Sequence, residues 1–356
     1  MFLKEEVGEE PFIIAEVGQN HQGDLDRARE YIRLFALAGA NAVKFQTRKN
    51  SYLFSEDAYA APYESENSFA PTYGAHREKL ELKPEWLPIL KEDCYRAGVR
   101  FMSTPFDEPS LDLLMQVDAD ILKVASFDIG NLPFIDRIGR TGKPVVISVG
   151  GGKIDQIQAS VDVLLRHGAK VALLHCVSEY PCEYNRLGLE RICYLIKEFP
   201  DCIIGSSDHF NGTLSGPVAY MQGARVFEKH VTLNRAWKGT DHSFALEPEG
   251  FRRFARDIRR VRHMLPPKSD TEVGAEAVFK KLGKSLVAGV DIEPGREIGL
   301  DDLTGRIFPS QYIPVRESNR VVGRIALRRI EKDEPIDYAN LVPVAAEKAV
   351  STSRSA

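Results

Sequence analysis

Short apolar runs alternate with helix-like stretches along most of the chain, and this alternation restricts the fold more than any other feature of the sequence. Each run has the length of a buried strand and ends at glycine or polar residues, which predicts a strand. Eight such runs are present, at 12–15, 42–45, 100–103, 121–124, 145–148, 171–174, 202–205 and 225–228.

The stretches between these runs carry apolar residues at helical spacing. Helices are predicted over 25–38, 154–166, 187–199, 212–221 and 248–265. Eight strand–helix units within residues 1–265 predict an α/β fold, the (β/α)8 TIM barrel. A doubly wound sheet is the alternative, and it usually has a glycine-rich phosphate turn after its first strand. Here the sequence Glu-Val-Gly-Gln-Asn-His follows the first run, which is no such turn.

One connection is unusually long. Residues 48–83 separate the second strand from its helix, and we expect a loop without secondary structure. Long insertions of this kind are often lids or binding loops. Its tyrosines, with Asn67, His76 and Arg77, would suit a polar ligand, whereas a surface excursion or a dimer contact is the alternative.

The sequence changes character after the barrel. Residues 266–284 are predicted to be a linker that includes a polar helix. Short runs at 286–288, 306–308 and 321–323 then alternate with turn signals, which predicts a small β-rich domain over 285–345. The polar tail, 346–356, is expected to be disordered.

Charge and cysteine content narrow the class of protein. The net charge of −4 gives no reason to expect a nucleic acid or an anionic membrane as partner. No apolar run reaches the roughly 18 residues of a membrane span, and the acidic N-terminus lacks a signal core. Five cysteines without CxxC spacing predict reduced, mostly buried thiols, although a reactive role for Cys176 stays open. A cytoplasmic protein is therefore expected.

Two histidines stand at the ends of the last two predicted strands. His209 and His230 each have carboxylates beside them in the sequence. The strand C-termini of a barrel meet on one face, so the two imidazoles could hold a divalent metal ion with open positions. The alternative is a pair of core histidines in ordinary hydrogen bonds. His175, after the sixth run, is expected to be structural.

The other strand ends are too polar for a barrel core alone. They carry two lysines, Lys44 and Lys123, and the hydroxyls of Thr104, Ser126, Ser148 and Ser207. Lysines with hydroxyls are typical of a phosphate site, whereas pairing with Glu16 or Glu228 would explain the lysines structurally. The residues thus indicate a metal-assisted reaction on a phosphorylated small anion. Phosphoenolpyruvate condensation, phosphosugar aldol chemistry and phosphate hydrolysis all stay open.

Several motifs in chain order resemble the sialic acid (N-acetylneuraminate) synthase family. They are 13–21 (IIAEVGQNH), 41–47 (NAVKFQT), 103–107 (STPFD), 122–126 (LKVAS), 207–209 (SDH), 228–230 (EKH) and 246–248 (LEP). The second domain resembles the antifreeze-like (SAF) domain that this family carries. The resemblance therefore covers nearly the whole chain.

The resemblance implies condensation of phosphoenolpyruvate with an open-chain N-acylated hexosamine such as N-acetylmannosamine, giving a nine-carbon 2-keto acid and phosphate. His209 and His230 would hold Mn²⁺, with Mg²⁺ or Co²⁺ as alternatives. Glu16, Glu228, Lys44 and Lys123 would be catalytic. Phosphoenolpyruvate would bind Lys44, Thr104, Lys123, Ser126, Ser148 and Ser207. The sugar would contact Gln46, Tyr180, Asp241 and Arg306, the last from the SAF domain of the partner in a domain-swapped homodimer.

Departures from the family pattern concentrate on the sugar side. Arg306 is followed by Ile-Phe-Pro instead of Pro-Gly, and Ser148 is followed by Val-Gly-Gly instead of Thr-Gly-Met. The acceptor therefore need not be N-acetylmannosamine itself, and other acylamino or deoxy hexoses stay open. One alternative is a phosphorylated aldose, for which Arg48, Lys49 and Arg77 could bind the second phosphate. A non-catalytic antifreeze-like paralogue is the remote alternative, but residues 285–345 lack a flat threonine-rich face.

Overall fold

A closed barrel of eight parallel strands forms the first part of the protein in a computed structural model, which describes residues 10–342. Neighbouring strands pair in chain order, and β1 closes on β8. The fold prediction is therefore confirmed. The strands are β1 (Phe12–Gly18), β2 (Ala42–Thr47), β3 (Arg100–Pro105), β4 (Ile121–Val124), β5 (Val145–Ser148), β6 (Val171–Cys176), β7 (Ile203–Asp208) and β8 (Val226–His230).

Helices surround the barrel, and some of them begin at side-chain caps. Asp24 and Asp107 each accept a hydrogen bond from a backbone N–H of the first helical turn, which satisfies donors that would otherwise lack partners. The helices are α1 (Leu25–Leu37), α2 (Asn50–Leu53), α3 (Glu56–Ala60), α4 (Tyr73–Glu78), α5 (Leu87–Arg96), α6 (Glu108–Gln116), α7 (Leu132–Gly139), α8 (Ile154–Arg166), α9 (Arg191–Glu198), α10 (Ser215–Met221) and α11 (Pro248–Met264).

Apolar side chains fill two layers of the barrel. The large core lies between the strands and the helices. A smaller cluster that includes Ile14, Met102, Val146 and Val226 fills the barrel interior at the N-terminal ends of the strands. Residues further along each strand that face the same way are polar, as Glu16, Lys44 and Ser148 illustrate. The interior is thus apolar at one end and polar at the other, where a site can form.

Three predictions about local structure were wrong. All strands except β4 and β5 continue two or three residues beyond the predicted ends, because the barrel interior buries polar residues such as Glu16 and Ser207 inside the strands. The helix predicted from residue 187 starts at Arg191, since Gly188 adopts a positive φ of 55° that breaks helical geometry. The insertion 48–83 is not structureless, because its chain forms α2, α3 and α4.

A second compact unit begins at Pro266. It contains α12 (Ala277–Leu282) and an antiparallel pair, β9 (Ser285–Ala288) and β10 (Leu303–Arg306). Short 3₁₀ helices and isolated bridges complete it around a small apolar core. The predicted tail, 346–356, lies outside the described residues. No helix within 10–342 is long and apolar enough to cross a membrane.

Two predicted runs of this unit differ from the structure. The strand predicted over 306–308 is wrong, because β10 ends at Arg306 and Ile307 is more than half exposed. The run 321–323 is not a strand either, since it follows a 3₁₀ helix, Val315–Arg320. Val321 is fully buried, so its apolar character reflects the core and not strand pairing.

Candidate active site

A pocket of about 540 Å³ opens at the C-terminal ends of the strands, and all eight strands contribute side chains to it. The thirteen barrel residues that we predicted for catalysis, phosphoenolpyruvate, sugar or metal all line this pocket, whereas Lys49, Asn67 and His76 of the insertion do not. The thirteen residues are Glu16, Lys44, Gln46, Thr104, Lys123, Ser126, Ser148, Tyr180, Ser207, His209, Glu228, His230 and Asp241. The closed barrel therefore brings together residues that are up to 225 positions apart (from residue 16 to residue 241).

Two lysines and two glutamates form a buried charge network at the centre of the pocket. Lys44 Nζ lies 2.7 Å from Glu16 Oε2 and 3.5 Å from Glu228 Oε1. Lys123 is more loosely held, with its Nζ 3.9 Å from Glu228 Oε1 and 3.2 Å from the carbonyl oxygen of Val124. The pairing of the lysines with Glu16 and Glu228, considered as the structural alternative, is thus present. The contacts of Lys123 are weaker than those of Lys44.

The two glutamates have opposed electrostatic environments. Burial raises the pKa of Glu16 to about 7, although the Lys44 ammonium acts to lower it. Burial also acts to raise the pKa of Glu228, but Lys123 and Lys44 together hold that pKa below its ordinary value. A pair of carboxylates with pKa values pushed apart is a frequent arrangement for acid and base functions.

Hydroxyl groups surround the lysines. Lys44 Nζ donates to Thr104 Oγ1 at 3.2 Å, and Ser207 Oγ donates to Glu228 at 3.3 Å. Ser126 Oγ accepts a hydrogen bond from the backbone N–H of Gly150 at 3.1 Å. Ser148 Oγ is buried and has no hydrogen-bond partner within the described chain. A buried hydroxyl without a partner is costly, which indicates that a ligand satisfies it.

Ser148→Ala should therefore separate ligand binding from stability. We expect the melting temperature without ligand to stay unchanged or to rise, because the variant removes an unsatisfied buried hydroxyl. If the pocket binds phosphoenolpyruvate, as the sequence resemblance implies, its KM should rise about tenfold, the effect of losing one charge-assisted hydrogen bond. Thermal denaturation and steady-state kinetics of the same preparation check both values. Ser160→Ala is the control away from the pocket, and it loses one hydrogen bond to the carbonyl oxygen of Gln156 and one from the backbone N–H of Gly130. A lower melting temperature with unchanged KM would assign Ser148 a structural role.

His209 and His230 lie side by side, with ring centroids 5.3 Å apart. His209 Nδ1 lies 2.8 Å from the carbonyl oxygen of Val177, so this nitrogen donates and Nε2 keeps its lone pair. Burial lowers the pKa of His209 to about 4 and also lowers the pKa of His230. Neutral imidazoles with one nitrogen fixed by a carbonyl are the form that binds metal ions.

The donor set fits a divalent ion that keeps open positions. Nδ1 of His230 is buried without a hydrogen-bond partner in residues 10–342, and Oδ2 of Asp241 lies 3.9 Å from it. Within residues 10–342, no group of three or more His, Cys, Asp or Glu side chains is arranged so that it could hold one metal ion. Any ion held by the two histidines would therefore complete its coordination with substrate and water.

Aromatic side chains pack around the histidine pair. The Tyr180 ring lies over His209, with centroids 4.0 Å apart. Phe244 contacts both histidines edge-on, at 6.2 Å from His209 and 5.2 Å from His230. Sequence reasoning missed Phe244, since it lies in an irregular segment with no motif. Phe106 and Thr240 also line the pocket and were not predicted, although Phe106 directly follows β3.

The insertion supplies one wall of the pocket. Tyr73, Arg77 and Arg48 line it, so the insertion stands where a ligand could contact it, and its role as a binding loop stays a prediction. Arg48 donates to Glu81 Oε1 at 3.0 Å, and Arg77 donates to Gln19 Oε1 at 2.6 Å. The buried Nε of Arg77 has no partner in the part of the chain that the structure describes. Burial raises the pKa of Glu81 to about 7, so this carboxylate only partly offsets the two guanidinium charges.

Other predicted polar residues have structural contacts. His175 Nε2 donates to the carbonyl oxygen of Leu187 at 2.6 Å and is not part of the pocket wall, as expected. Cys176 lines the pocket floor, and burial raises the pKa of its thiol, which disfavours a reactive thiolate. All five cysteines are free. Arg306, in the second unit, is half exposed and lies 3.1 Å from Asp333.

A TIM barrel with a polar pocket at the C-terminal ends of its strands defines the class as a barrel enzyme. The NeuB family model matches residues 31–269 and the SAF domain model matches residues 283–342. The chain belongs to the NeuB family of sialic acid and related nonulosonic acid synthases. It is thus a transferase that forms a carbon–carbon bond, in a family that uses phosphoenolpyruvate and a sugar substrate.

Relatives that are named for different products are about equally similar to this chain. N-acetylneuraminate-9-phosphate synthase of Homo sapiens is 34% identical over 331 residues, covering 92% of each chain. N,N'-diacetyllegionaminic acid synthase of Campylobacter jejuni is 33% identical, covering 91% of this chain and 98% of its own. The solved N-acetylneuraminic acid synthetase of Leptospira borgpetersenii has a TM-score of 0.67 at 30% identity, covering 76% of this chain and 91% of its own.

Proposed function

We propose that this protein condenses phosphoenolpyruvate with an open-chain N-acylated hexosamine to give a nine-carbon 2-keto sugar acid and phosphate. The observation that carries the proposal is the pairing, in one pocket, of the lysine and hydroxyl set with two neutral histidines. The first set suits a phosphorylated anion and the second suits a metal ion that activates a carbonyl group.

The lysines and hydroxyls would hold phosphoenolpyruvate through its phosphate and carboxylate groups. Lys123 and Ser148 have the weakest contacts without ligand, so they gain most from an anion. His209 and His230 would hold a divalent ion, Mn²⁺ by preference and Mg²⁺ or Co²⁺ otherwise. When bound, the ion supplies Lewis acidity at the aldehyde oxygen of the acceptor. Gln46, Tyr180 and Asp241 would contact the sugar.

The two glutamates would have different roles, because one would stabilise positive charge and the other would transfer a proton. C3 of phosphoenolpyruvate forms a bond to C1 of the acceptor, and positive charge develops at C2. Glu228, kept ionised by two lysines, stabilises that charge. Glu16, whose pKa is about 7, gives a proton to the aldehyde oxygen as it becomes a hydroxyl. Water adds to C2 and returns one proton to Glu16. The C2 centre, which then carries a hydroxyl and the phosphate, collapses to the ketone as the C2–O bond to phosphate breaks, and the second proton of the water leaves with phosphate.

A phosphorylated acceptor is a second candidate, and the wall formed by the insertion favours it. Arg48 and Arg77 are both largely buried, with side-chain exposures of 5% and 11%. Glu81 is the carboxylate that they share, at 3.0 Å and 3.9 Å. Two buried guanidinium groups around one weakly ionised carboxylate would accommodate an anionic group on the acceptor. The human relative is named for a phosphorylated product.

Phosphate release from phosphoenolpyruvate with Mn²⁺ tests the function and separates the two acceptor classes. The panel should contain N-acylated hexosamines, their 6-phosphates and plain aldoses, with wild type beside Arg77→Met. Release that requires one sugar supports the synthase, and no release with any sugar contradicts it. If the acceptor is phosphorylated, Arg77→Met should raise its KM at least about tenfold, because one charged hydrogen bond is lost. Unchanged KM would exclude Arg77 as a phosphate ligand.

We also propose a cytoplasmic homodimer in which Arg306 reaches the sugar of the partner's site. The five free cysteines agree with a reducing compartment. Arg306 is half exposed, so it could contact a second copy. Sedimentation at micromolar concentration and the acceptor KM of Arg306→Ala test the assembly and the contact separately.

A further inference from the structure

A buried ion pair between β7 and β8 is not used by the mechanism above. Lys229 is fully buried, and its Nζ lies 2.7 Å from Asp208 Oδ2. The two residues are direct partners in the strand register. Since side chains alternate along a strand, the pair lies on the outer side of the barrel. The residue that follows each member of the pair, His209 after Asp208 and His230 after Lys229, lines the pocket.

The carboxylate of this pair connects several elements. Asp208 Oδ1 accepts a hydrogen bond from the backbone N–H of Phe210 at 2.8 Å, and Oδ2 accepts one from Ser215, the first residue of α10. Lys229 Nζ also donates to the carbonyl oxygen of Phe210. The pair therefore fixes β8, the end of β7, the turn that carries His209, and α10 relative to one another.

Net stability is a weak explanation for this arrangement. Removing both charges from water offsets most of their mutual attraction, and apolar residues of similar volume are often as stable in such positions. Burial lowers the pKa of Lys229, while the Asp208 carboxylate acts in the opposite direction. What the pair provides beyond packing is a defined geometry for the two strand ends.

The histidines need such a restraint to different degrees. The His209 ring is held by a hydrogen bond to Val177. Nδ1 of His230 has no corresponding bond in the described structure, so this ring depends on its packing against Tyr180 and Phe244 and on the backbone at Lys229. A shift of β8 relative to β7 would change the distance between the two rings directly.

We propose that Lys229 and Asp208 are positioning residues that set the spacing of His209 and His230 for a divalent metal ion. This proposal rests on the proposed function, because it assumes that the two histidines bind the ion. The pair would therefore raise the affinity for the metal ion and would contact neither substrate.

Mn²⁺ affinity, measured from the electron paramagnetic resonance signal of free Mn²⁺, tests the proposal without any turnover. The double variant Asp208→Asn/Lys229→Met removes the pair without leaving a buried charge. We expect it to bind Mn²⁺ about 10- to 100-fold more weakly, as found for residues that orient metal ligands. Ser215→Ala, which removes one bond to Asp208, should weaken binding less, in the same direction.

Phe254→Leu is the matched control. The Phe254 ring is buried 6.0 Å from Lys229 Nζ, so its truncation loosens the same layer but keeps the ion pair. The proposal would be overturned if Phe254→Leu lowered the Mn²⁺ affinity as much as the double variant does, at the same decrease in melting temperature. Unchanged affinity in the double variant would also overturn it, and Ser215→Ala decides if the double variant does not fold. A wild type that binds no Mn²⁺ would instead contradict the proposed function itself.

Discussion

His209→Ala should abolish Mn²⁺ binding and lower kcat at least about 1,000-fold, because Lewis-acid activation of the aldehyde contributes several kcal/mol to the transition state. Two histidines are the protein ligands that we propose, so the loss of one leaves a single imidazole to hold the ion. The phosphoenolpyruvate affinity should change much less, since its lysines and hydroxyls are untouched. Phosphate release at saturating Mn²⁺, with binding of phosphoenolpyruvate measured by calorimetry, separates the two effects.

His175→Asn is the matched control for this prediction. His175 is also buried, lies near the C-terminal end of β6 and donates to a backbone carbonyl, but it does not line the pocket. We expect this variant to keep Mn²⁺ binding and to lose some stability. If His209→Ala retained most of its turnover, or if both variants lost turnover equally, the histidine pair would not be the metal site.

The barrel and most of its pocket could be predicted because they depend on patterns that are local in sequence. A strand leaves its signature in four to seven consecutive residues, and strand C-termini converge in every TIM barrel. Lys44, Lys123 and Glu228 could therefore be assigned to one site from their positions alone. Their structural pairing was the alternative interpretation, and the structure shows that pairing within the pocket, while binding of a phosphate group stays a prediction.

Contacts between distant irregular segments could not be predicted in this way. Phe244 lies in a loop, and nothing in its sequence neighbourhood shows that it contacts His209 and His230. The contact from Arg77 to Gln19 joins an insertion to the end of β1, and its geometry depends on how α4 folds. The ion pair of Asp208 with Lys229 was overlooked for another reason. Alternation along β8 gives the outward direction of Lys229, but only strand register gives its partner.

Lys123→Met should lower the affinity for phosphoenolpyruvate about 100- to 1,000-fold, because losing one partner of a buried charged contact costs roughly 2–5 kcal/mol. Lys123 is buried, and its contact to Glu228 is long, at 3.9 Å. Burial lowers its pKa, whereas Glu228 acts to raise it. Its charge is therefore poorly compensated until an anion binds. Calorimetric titration with phosphoenolpyruvate measures the loss directly.

Lys44→Met provides the comparison that makes this prediction specific to ligand binding. Lys44 Nζ lies 2.7 Å from Glu16, so its removal leaves a buried carboxylate without its closest partner and should lower the melting temperature in the absence of ligand. Lys123→Met leaves Glu228 with Lys44 and Ser207, so its ligand-free melting temperature should stay near that of wild type. Wild type should gain stability from phosphoenolpyruvate by mass action, and Lys123→Met should lose this gain. A Lys123→Met protein that is unstable without ligand, yet still stabilised by phosphoenolpyruvate, would show that Lys123 belongs to the structural network and not to the anion site.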